Sequence, residues 1–387
     1  MTVIERGLGP STTAVHVGEP PVEVGTSVVN PIYQTTTFNS DPLGAAEVRY
    51  TRYGNNPNHL HLEERLRALE GTEDAAVMGS GMGAMVAALL ANLQAGDHVL
   101  AAGALYGGTR VLLQREFSRL GIESSFTDFH AANWREAIRP NTRVFLLETL
   151  SNPLLRFTDP ATVAAEAHEA GAVVIVDATF TPAPNLRTAE HGADLVVHSA
   201  TKYLGGHTDV TAGAVCGSEE RIRAVRARAA IWGAMLDPHA AWLLERGMKT
   251  LPVRLQRHNE NGLALARWFA RQPAIAAVHY PGLPTHPDHA RAAELLAGFG
   301  GMLSIELRGG GEAATRFVRA LHLARLAPSL GGVETLVSEP RFTSHVALTP
   351  EERARQGICD GFIRLSLGIE DSADLIDDFA QALAAAE

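Results

Sequence analysis

Three short apolar runs decide the fold: VFLLE at residues 144–148, VVIVD at 173–177 and LVVHS at 195–199. Each run is too short for a helix and is rich in β-branched or bulky side chains, a pattern typical of buried strands. The segment between the first two predicts a helix, because Asp159 can cap its start and Gly171 can end it. Strands that alternate with helices predict crossover connections, a mostly parallel sheet and therefore an α/β fold.

The pattern along the chain predicts three consecutive parts. Residues 1–60 hold many turn formers, and we interpret them as an N-terminal arm; aromatic residues such as Tyr33 argue against a disordered tail. Residues 61–250 would form the α/β domain. From 251 to 387 the pattern changes to that of a smaller α+β domain, with a half-buried strand at 300–307 and another strand at 362–367. Long helices are expected over 220–272, broken at Pro238 and Pro252.

Composition excludes several classes of partner. The 387 residues include 33 basic and 43 acidic side chains, so the net charge of −10 disfavours nucleic acid and anionic membranes overall, although a local basic pocket could survive it. No apolar stretch approaches the ~18 residues of a membrane span, and the first residues do not resemble a signal peptide. The two cysteines, Cys216 and Cys359, form neither a disulfide framework nor a zinc pattern. We therefore expect a cytoplasmic protein without nucleic-acid, membrane or metal partners.

A glycine-rich turn, GSGMGA at residues 79–84, follows an apolar run and opens an alanine-rich helix. Small residues at a helix N-terminus let the backbone N–H groups approach a phosphate. The turn also satisfies the dinucleotide pattern G-x-G-x-x-G/A, which would indicate a nicotinamide cofactor. That pattern requires an acidic residue at the end of the next strand, whereas Asp97 precedes its apolar run. Close packing without any ligand is the third interpretation.

A second motif, HSATKYLGGH at residues 198–207, begins where the third strand ends. Ser199 and Thr201 are suited to donate hydrogen bonds to phosphate oxygens. Lys202 would then lie beside a bound phosphate ester, partly out of water, where its amine can attack a carbonyl. The alternative is an ordinary solvated lysine in a turn.

Asp177 ends the most apolar of the three strands, where a carboxylate needs a cationic partner. The partner could be an arginine, a metal ion or a protonated heterocycle, and the scattered histidines make a metal the weakest choice. Taken together, a phosphate site, a nucleophilic lysine and an aspartate facing a pyridinium nitrogen describe one cofactor, pyridoxal 5′-phosphate.

With these motifs the chain resembles the cysteine and methionine metabolism family of pyridoxal-phosphate enzymes, which includes cystathionine γ-synthase, cystathionine γ-lyase and methionine γ-lyase. The resemblance runs from TAVH at 13–16 to the last helix. It implies a fold type I transferase in which residues 61–250 hold the cofactor. It also implies that Lys202 bonds covalently to the cofactor, with Ser199 and Thr201 as phosphate ligands.

The resemblance implies roles for further residues. Those around the cofactor are Gly81 and Met82 in the backbone phosphate cradle, Asp177 at the pyridine nitrogen, Tyr106 stacked on the ring and assisting proton transfer, and Asn152 near the ring hydroxyl. Tyr50 and Arg52 would reach the phosphate of a neighbouring subunit, and Tyr50 would also contact substrate. Arg364 would bind the substrate α-carboxylate, with Ser329 on the adjoining loop. The resemblance further implies a homotetramer whose sites are shared between paired protomers.

Departures from the family pattern bear on the activity. Gly108 stands where methionine γ-lyases carry a cysteine, and Pro328 stands where bacterial cystathionine synthases and lyases typically carry glutamate. APSLGG at 327–332 is similar instead to plant-type cystathionine γ-synthases. We expect γ-replacement or elimination on an activated homoserine or cystathionine, closest to cystathionine γ-synthase, with small amino acids as substrates. A lyase or homoserine-ester sulfhydrylase of the same family is the nearest alternative, followed by a nicotinamide-dependent oxidoreductase and a non-catalytic scaffold.

Overall fold

The computed structural model describes residues 7–343, 346 and 349–386. Residues 1–6 of the predicted arm, and 344, 345, 347, 348 and 387 of the predicted carboxy-terminal domain, lie outside the described residues. Contacts divide the chain into two units. The large unit contains the chain up to Gly103, Gly108–Thr149 and Asp159–Pro252; the small unit contains Ala104–Gly107, Leu150–Thr158 and the chain from Val253 onward. Two short segments inside the first half of the chain therefore belong to the small unit, and no change of composition marks them.

The large unit is built on a seven-stranded sheet, which confirms the predicted α/β fold. Its strands are β1 (Asp74–Met78), β2 (His98–Ala102), β3 (Glu123–Thr127), β4 (Thr142–Glu148), β5 (Val173–Asp177), β6 (Leu195–His198) and β7 (Gly213–Gly217). Their order across the sheet is β1-β7-β6-β5-β4-β2-β3. Only β7 is antiparallel to its neighbours; the other adjacent pairs are parallel.

Helices flank this sheet. They are α1 (Pro10–His16), α2 (Pro57–Glu70), α3 (Gly81–Asn92), α4 (Gly107–Val111), α5 (Pro160–Glu169), α6 (Glu219–Trp232) and α7 (Pro238–Met248), with a π-helical turn at Leu112–Phe117. Helix α5 begins and ends as predicted. The Asp159 carboxylate accepts a hydrogen bond from Ala161 N at 3.0 Å, and Gly171 takes a left-handed φ of 68° after its end.

The three diagnostic strands lie at the centre of the sheet and are buried on both faces. Val144, Leu147, Val174 and Val196 are all fully buried, which explains why these runs are continuously apolar instead of alternating. The register pairs Glu148 with Asp177 and Asp177 with Val197. The polar residues at the ends of the strands therefore meet at one edge of the sheet, where parallel α/β folds bind ligands.

A network of buried charges connects the N-terminal segment to the rest of the large unit. Arg65 on α2 is fully buried, and its guanidinium lies 2.5 Å from the Glu19 carboxylate while donating to the Glu245 carbonyl at 2.9 Å. The Asn30 amide donates to the Glu245 carboxylate at 2.7 Å. Each buried charge has an oppositely charged or hydrogen-bonding partner, which is what burial requires.

The small unit contains a five-stranded sheet in the order β10-β11-β12-β9-β8. Its elements are α8 (Leu251–Phe269, whose first two residues are counted with the large unit), β8 (Ile275–His279), α9 (His289–Leu295), β9 (Met302–Leu307), α10 (Gly310–Ala320), β10 (Arg325–Leu326), β11 (Leu336–Ser338), α11 (Pro350–Arg355), β12 (Phe362–Ser366) and α12 (Ser372–Ala386). Phe269, Phe317 and Phe379 pack together in its core.

One local prediction for this region was wrong and another was confirmed. Strand β9 is almost entirely buried instead of half-buried, because β8 and β12 flank it and the apolar core covers it. The predicted interruptions near Pro238 and Pro252 are confirmed: α7 begins at Pro238 and ends at Met248, and α8 begins at Leu251, so that Pro252 lies in the first turn of α8, where a proline needs no N–H partner. Among the described helices, none is long and apolar enough to cross a membrane.

The buried side chain of His98 leads us to expect that the large unit loses stability in acid. Its ring nitrogens lie 2.8 Å from Thr142 Oγ1 and 2.7 Å from Ser125 Oγ, and burial lowers its pKa from 6.5 to about 4. The unfolded chain therefore takes up this proton first, so the stability contributed by the neutral ring is lost as the pH falls from 6.5 toward 4. We expect the free energy of unfolding to fall more steeply over this range in the wild type than in His98→Gln. Urea unfolding at stepwise pH measures this, and parallel curves would contradict it.

Candidate active site

Asp177 is held in place at the carboxyl end of β5 by the residue two positions further on. Its Oδ1 atom accepts hydrogen bonds from Thr179 N at 3.0 Å and from Thr179 Oγ1 at 2.5 Å. Thr179 Oγ1 also accepts a hydrogen bond from Ser199 N at 2.8 Å. One hydroxyl thus ties the aspartate to the segment that follows β6.

The other carboxylate oxygen of Asp177, Oδ2, has no hydrogen bond within the described part of the chain. Burial raises the pKa of this carboxyl, while the hydrogen bonds from Thr179 and the charge of His198 lower it. No described lysine or arginine nitrogen lies within 4.0 Å of the carboxylate, and the described residues contain no cluster of three metal-ligating side chains. Of the cations that the sequence allowed, this arrangement fits a protonated heterocycle best.

The glycine-rich turn forms the N-terminus of α3. Ser80 caps this helix by accepting a hydrogen bond from Gly83 N at 3.0 Å, which leaves the N–H groups of Gly81 and Met82 without an acceptor inside the helix. Gly81 also approaches Ser199 closely, since a Cβ atom on Gly81 would lie 2.7 Å from the Ser199 Cβ. The turn therefore requires small residues for close packing, and the contact brings a hydroxyl beside two N–H groups.

Lys202 lies in a tight turn directly after β6. Its backbone N–H donates to Ser199 O at 3.1 Å, and its carbonyl accepts from Gly206 N at 2.8 Å. A Cβ atom on Gly205 would lie 2.8 Å from the Val210 side chain, so the turn requires glycine there. The turn therefore fixes the backbone of a partly buried lysine three residues from Ser199.

Thr201 differs from the arrangement that the sequence suggested. Its hydroxyl lies 3.2 Å from Ala212 O and 3.0 Å from Ala212 N, and the structure gives it the role of donor to that carbonyl. To donate to a phosphate, this hydroxyl must rotate, because it carries a single proton. Ser199 Oγ, by contrast, has no hydrogen-bond partner among the described residues.

In the small unit, Arg364 lies on β12 and is buried, and its Nη2 donates to Ser329 O at 3.0 Å. Ser329 has a φ of 91°, in the left-handed region that side chains other than glycine rarely adopt. The guanidinium and this strained loop residue are therefore neighbours, as the sequence suggested.

Two further predicted residues fall in the short segments assigned to the small unit. Asn152 is half-buried, and its Oδ1 atom is buried with no hydrogen-bond partner among the described residues. Tyr106 is half-exposed, at 51% of its surface.

Tyr50 and Arg52 form a cluster of their own in the large unit. Arg52 donates to Ala230 O at 3.0 Å, and its guanidinium lies over the rings of Tyr50 and Tyr53. Asn55, in the turn that departs from the family pattern, accepts from Tyr50 N at 2.9 Å and so fixes this cluster. Arg52 is exposed and makes none of its described contacts with the lysine turn.

Sequence reasoning did not assign a role to Thr179 or to the pair Glu70 and His198. Thr179 follows Asp177 at the end of a strand, a position from which a hydroxyl can reach back, so a local signal was present. Glu70 and His198 are 128 positions apart, and their 2.9 Å hydrogen bond could not be inferred from spacing.

Comparison with known proteins decides the family. Residues 11–384 match the family described as Cys/Met metabolism PLP-dependent enzyme. The chain belongs to this family.

Relatives of the chain carry different activities. It is 42% identical to L-methionine gamma-lyase of Pseudomonas putida, over 97% of this chain and 98% of that protein. It is 41% identical to O-succinylhomoserine sulfhydrylase of Pseudomonas aeruginosa, over 87% of this chain and 83% of that protein. Its structure is similar to that of cystathionine gamma synthase from Xanthomonas oryzae pv. oryzae in complex with aminoacrylate and cysteine, with a TM-score of 0.94, 38% identity and 98% of each chain covered.

The cofactor of the family is pyridoxal phosphate, and the large unit fits it. An unpartnered carboxylate oxygen on Asp177 suits a protonated ring nitrogen. The N–H groups of Gly81 and Met82 and the Ser199 hydroxyl make a donor set for a phosphate. The nicotinamide alternative is wrong: Asp97 lies in the turn before β2, where its carboxylate accepts from Gln94 N at 2.8 Å, and the strand order is not the 3-2-1-4-5-6 order of dinucleotide-binding folds.

The close contact between Gly81 and Ser199 gives a prediction with a matched control. We expect Gly81→Ala to weaken the binding of pyridoxal phosphate at least about tenfold, because a Cβ atom would push the Ser199 hydroxyl away from the helix N-terminus. Gly83→Ala, whose Cβ would lie 3.3 Å from its nearest neighbours, should bind nearly as the wild type does. Titration of the apoprotein with cofactor, followed by absorbance, measures both constants, and equal weakening in the two variants would contradict the prediction.

Proposed function

We propose that this enzyme catalyses γ-replacement, in which a cysteine thiol displaces the leaving group of an activated homoserine, as a cystathionine γ-synthase does. The observation that carries the proposal is Gly108, at the position where methionine γ-lyases carry a cysteine. The chain has only two cysteines. Cys216 is buried in β7, and Cys359 lies 3.6 Å from the Glu306 carboxylate. Neither is close in sequence to residue 108.

Bound pyridoxal phosphate supplies an electron sink for the negative charge that develops on the substrate α-carbon. In this proposal Lys202 would hold the cofactor covalently, and its Nζ atom would serve as the base that takes the α-proton of the substrate. Asp177 keeps the proton on the ring nitrogen, so that the ring can accept charge. Tyr106 would stack on the ring and assist proton transfer, and Asn152 would lie near the ring hydroxyl.

The remaining assignments concern phosphate and substrate. Gly81, Met82, Ser199 and Thr201 bind the phosphate. Arg364 binds the substrate α-carboxylate, for which a planar guanidinium offers two parallel donors, and the loop that carries Ser329 fixes the orientation of that guanidinium. The similar synthase structure from Xanthomonas oryzae holds cysteine, the thiol that the proposal requires.

A second candidate is methionine γ-elimination. It is supported by the 42% identity to the lyase from Pseudomonas putida over nearly the whole chain. The two candidates share the steps at the α- and β-carbons and differ in whether a thiol adds at the γ-carbon.

Product analysis separates the candidates. We expect the holoenzyme to form cystathionine from cysteine and an O-phospho-, O-succinyl- or O-acetyl-homoserine, and to act on methionine at least about a hundredfold more slowly in kcat/KM, a difference of about 2.7 kcal/mol. Steady-state assays of each ester with and without cysteine, and of methionine and cystathionine alone, give these constants. Faster release of methanethiol from methionine than of cystathionine from any ester would overturn the synthase proposal.

We also propose a homotetramer in a reducing compartment such as the cytoplasm, with sites shared between paired protomers. Several large apolar side chains of the large unit are exposed, including Val24, Val28, Ile231 and Trp232. Exposed apolar surface of this kind is typical of interaction sites. Arg52, exposed in the same unit, is the residue proposed to reach the phosphate of the partner.

Subunit mixing tests the shared site. Lys202→Ala and Arg52→Ala should each be nearly inactive, but co-expression should restore about a quarter of wild-type turnover. Random pairing makes half of the pairs mixed, and each mixed pair has one site with an intact lysine and an intact arginine. The measurement is kcat of the purified mixture per subunit, with the quaternary state checked by ultracentrifugation. Turnover equal to the mean of the two separate variants would contradict shared sites.

A further inference from the structure

The segment Leu150–Thr158 belongs to the small unit and carries Asn152. The side-chain amide of Asn152 makes no hydrogen bond with the described residues, and its Oδ1 atom is buried. The amide therefore has no bond of its own that fixes its direction within the described part of the chain. Its position depends on the backbone on either side of it.

Ser304 fixes the backbone directly after Asn152. It is fully buried on β9, and its Oγ donates to the carbonyl of Pro153 at 2.8 Å. Strand β9 lies between β8 and β12, and the register pairs Ser304 with Arg364 on β12. Residues paired in this way are neighbours on one face of a sheet. The hydroxyl that fixes the carbonyl beside Asn152 is therefore next to the residue proposed to bind the substrate carboxylate.

Asp288, which precedes α9, fixes the other end of the turn. Its carboxylate accepts hydrogen bonds from Arg156 Nε at 2.6 Å and from Arg156 Nη2 at 3.0 Å. The Oδ2 atom also accepts from Phe157 N at 2.9 Å. A guanidinium that binds one carboxylate through two donors is fixed in direction as well as in distance. The Asp288 side chain is 11% exposed, so water competes little for these bonds.

Hydrogen bonds inside the segment connect Asp288 to the backbone before Asn152. Arg156 N donates to Ser151 Oγ at 3.1 Å, and Ser151 N donates to Arg156 O at 3.0 Å. Leu155, which is fully buried, has a φ of 55°, in the left-handed region that leucine rarely adopts. Such a conformation persists only where the surrounding structure determines it. The turn is therefore held on both sides of Asn152.

Apolar packing contributes to this arrangement but does not explain it. Leu150 and Phe157 are buried and pair as an isolated bridge. Apolar burial is non-directional, so it keeps the segment on the small unit without setting the direction of an amide. The directional contacts are the hydrogen bonds to Ser304 and Asp288.

We propose that Ser304 and Asp288 are positioning residues, which hold the turn from its two sides so that the amide of Asn152 meets the ring hydroxyl of the cofactor in a fixed direction. This inference rests on the proposed assignment of Asn152 to that hydroxyl. The two residues act through the backbone of Ser151 and Pro153, not by contact with the cofactor.

The colour of the bound cofactor reports the position of Asn152. An amide that donates to the ring oxygen stabilises negative charge there, which weakens the attraction of that oxygen for the proton it shares with the nitrogen linked to Lys202. Loss of the donor should therefore raise the pH at the midpoint of the absorbance change of the holoenzyme. We expect a rise of about one unit in Asn152→Ala. In Ser304→Ala and Asp288→Asn we expect about half a unit, which is about threefold in proton affinity.

A double-variant cycle separates positioning from a general structural effect. If Ser304 and Asp288 act through Asn152, then Ser304→Ala and Asp288→Asn should shift the midpoint no further once Asn152→Ala is present. Asp378→Asn is the matched control. The Asp378 carboxylate accepts from the backbone N–H groups of residues 322–324, and none of its described hydrogen bonds reaches the segment. This variant should titrate as the wild type does.

The outcomes distinguish the inference from the assignment on which it rests. Suppose that Asn152→Ala shifts the midpoint, but Ser304→Ala and Asp288→Asn do not, or shift it equally with and without Asn152→Ala. Ser304 and Asp288 then have a structural role only, and the inference is overturned while the proposed function stands. If Asn152→Ala leaves the midpoint unchanged, the assignment of Asn152 fails, and the inference fails with it.

Hydrogen exchange of the apoprotein measures the same contacts without a cofactor. The amides of residues 150–158 should exchange at least about tenfold faster in Ser304→Ala and Asp288→Asn than in Asp378→Asn, because the bonds that close the turn are weakened. Unchanged exchange in both variants would contradict the inference. If circular dichroism shows that Ser304→Ala does not fold, Ser304→Cys, which retains a weak donor, replaces it. Failure of all these variants to fold, with Asp378→Asn folded, would show a purely structural role and overturn the inference.

Discussion

The hydrogen bonds of Thr179 at the end of β5 connect the two parts of the proposed cofactor site in the large unit. Its hydroxyl donates to the Asp177 carboxylate and accepts from the backbone of Ser199. The carboxylate is thereby held at a set position relative to the hydroxyl that lies beside Gly81. A ligand that presents a cationic ring nitrogen and a phosphate must match this spacing, because strands β5 and β6 are buried and resist movement.

The sheet makes this arrangement possible. Parallel strands end at the same edge, so the register that pairs Glu148 with Asp177 and Asp177 with Val197 collects polar side chains in one place. Helix α3 adds free N–H groups at that edge. Its first residue can approach Ser199 only because it is glycine.

The proposed binding sites are locally positive, although the net charge of the chain is negative. The chain carries a surplus of ten acidic residues, yet the proposed ligands are small anions. In the proposed function, Arg364, Arg52 and the N–H groups of α3 would supply local positive potential for them. Family membership establishes the cofactor chemistry, but relatives at 41–42% identity include both a lyase and a sulfhydrylase. Family membership therefore leaves the choice among γ-carbon reactions open, and the synthase proposal depends on single positions such as Gly108.

The sequence by itself determined the α/β fold, the glycine turn and the segment that carries Lys202. These features follow from short-range patterns in the sequence: continuous apolar runs, helix caps such as Asp159, and small residues where two backbone segments approach each other. Local pattern was insufficient where burial depends on neighbours, as for β9, whose two flanking strands and covering core bury both of its faces.

Only the tertiary structure decided which groups far apart in the chain come within hydrogen-bond distance. The Thr201 hydroxyl turned toward Ala212, and the carboxylate of Glu70 met the ring of His198 across 128 positions. No spacing rule predicts such pairs, because strand order and helix packing determine which residues become neighbours. A buried carboxylate such as Glu70 is then hydrogen-bonded by the side chain that this packing places beside it.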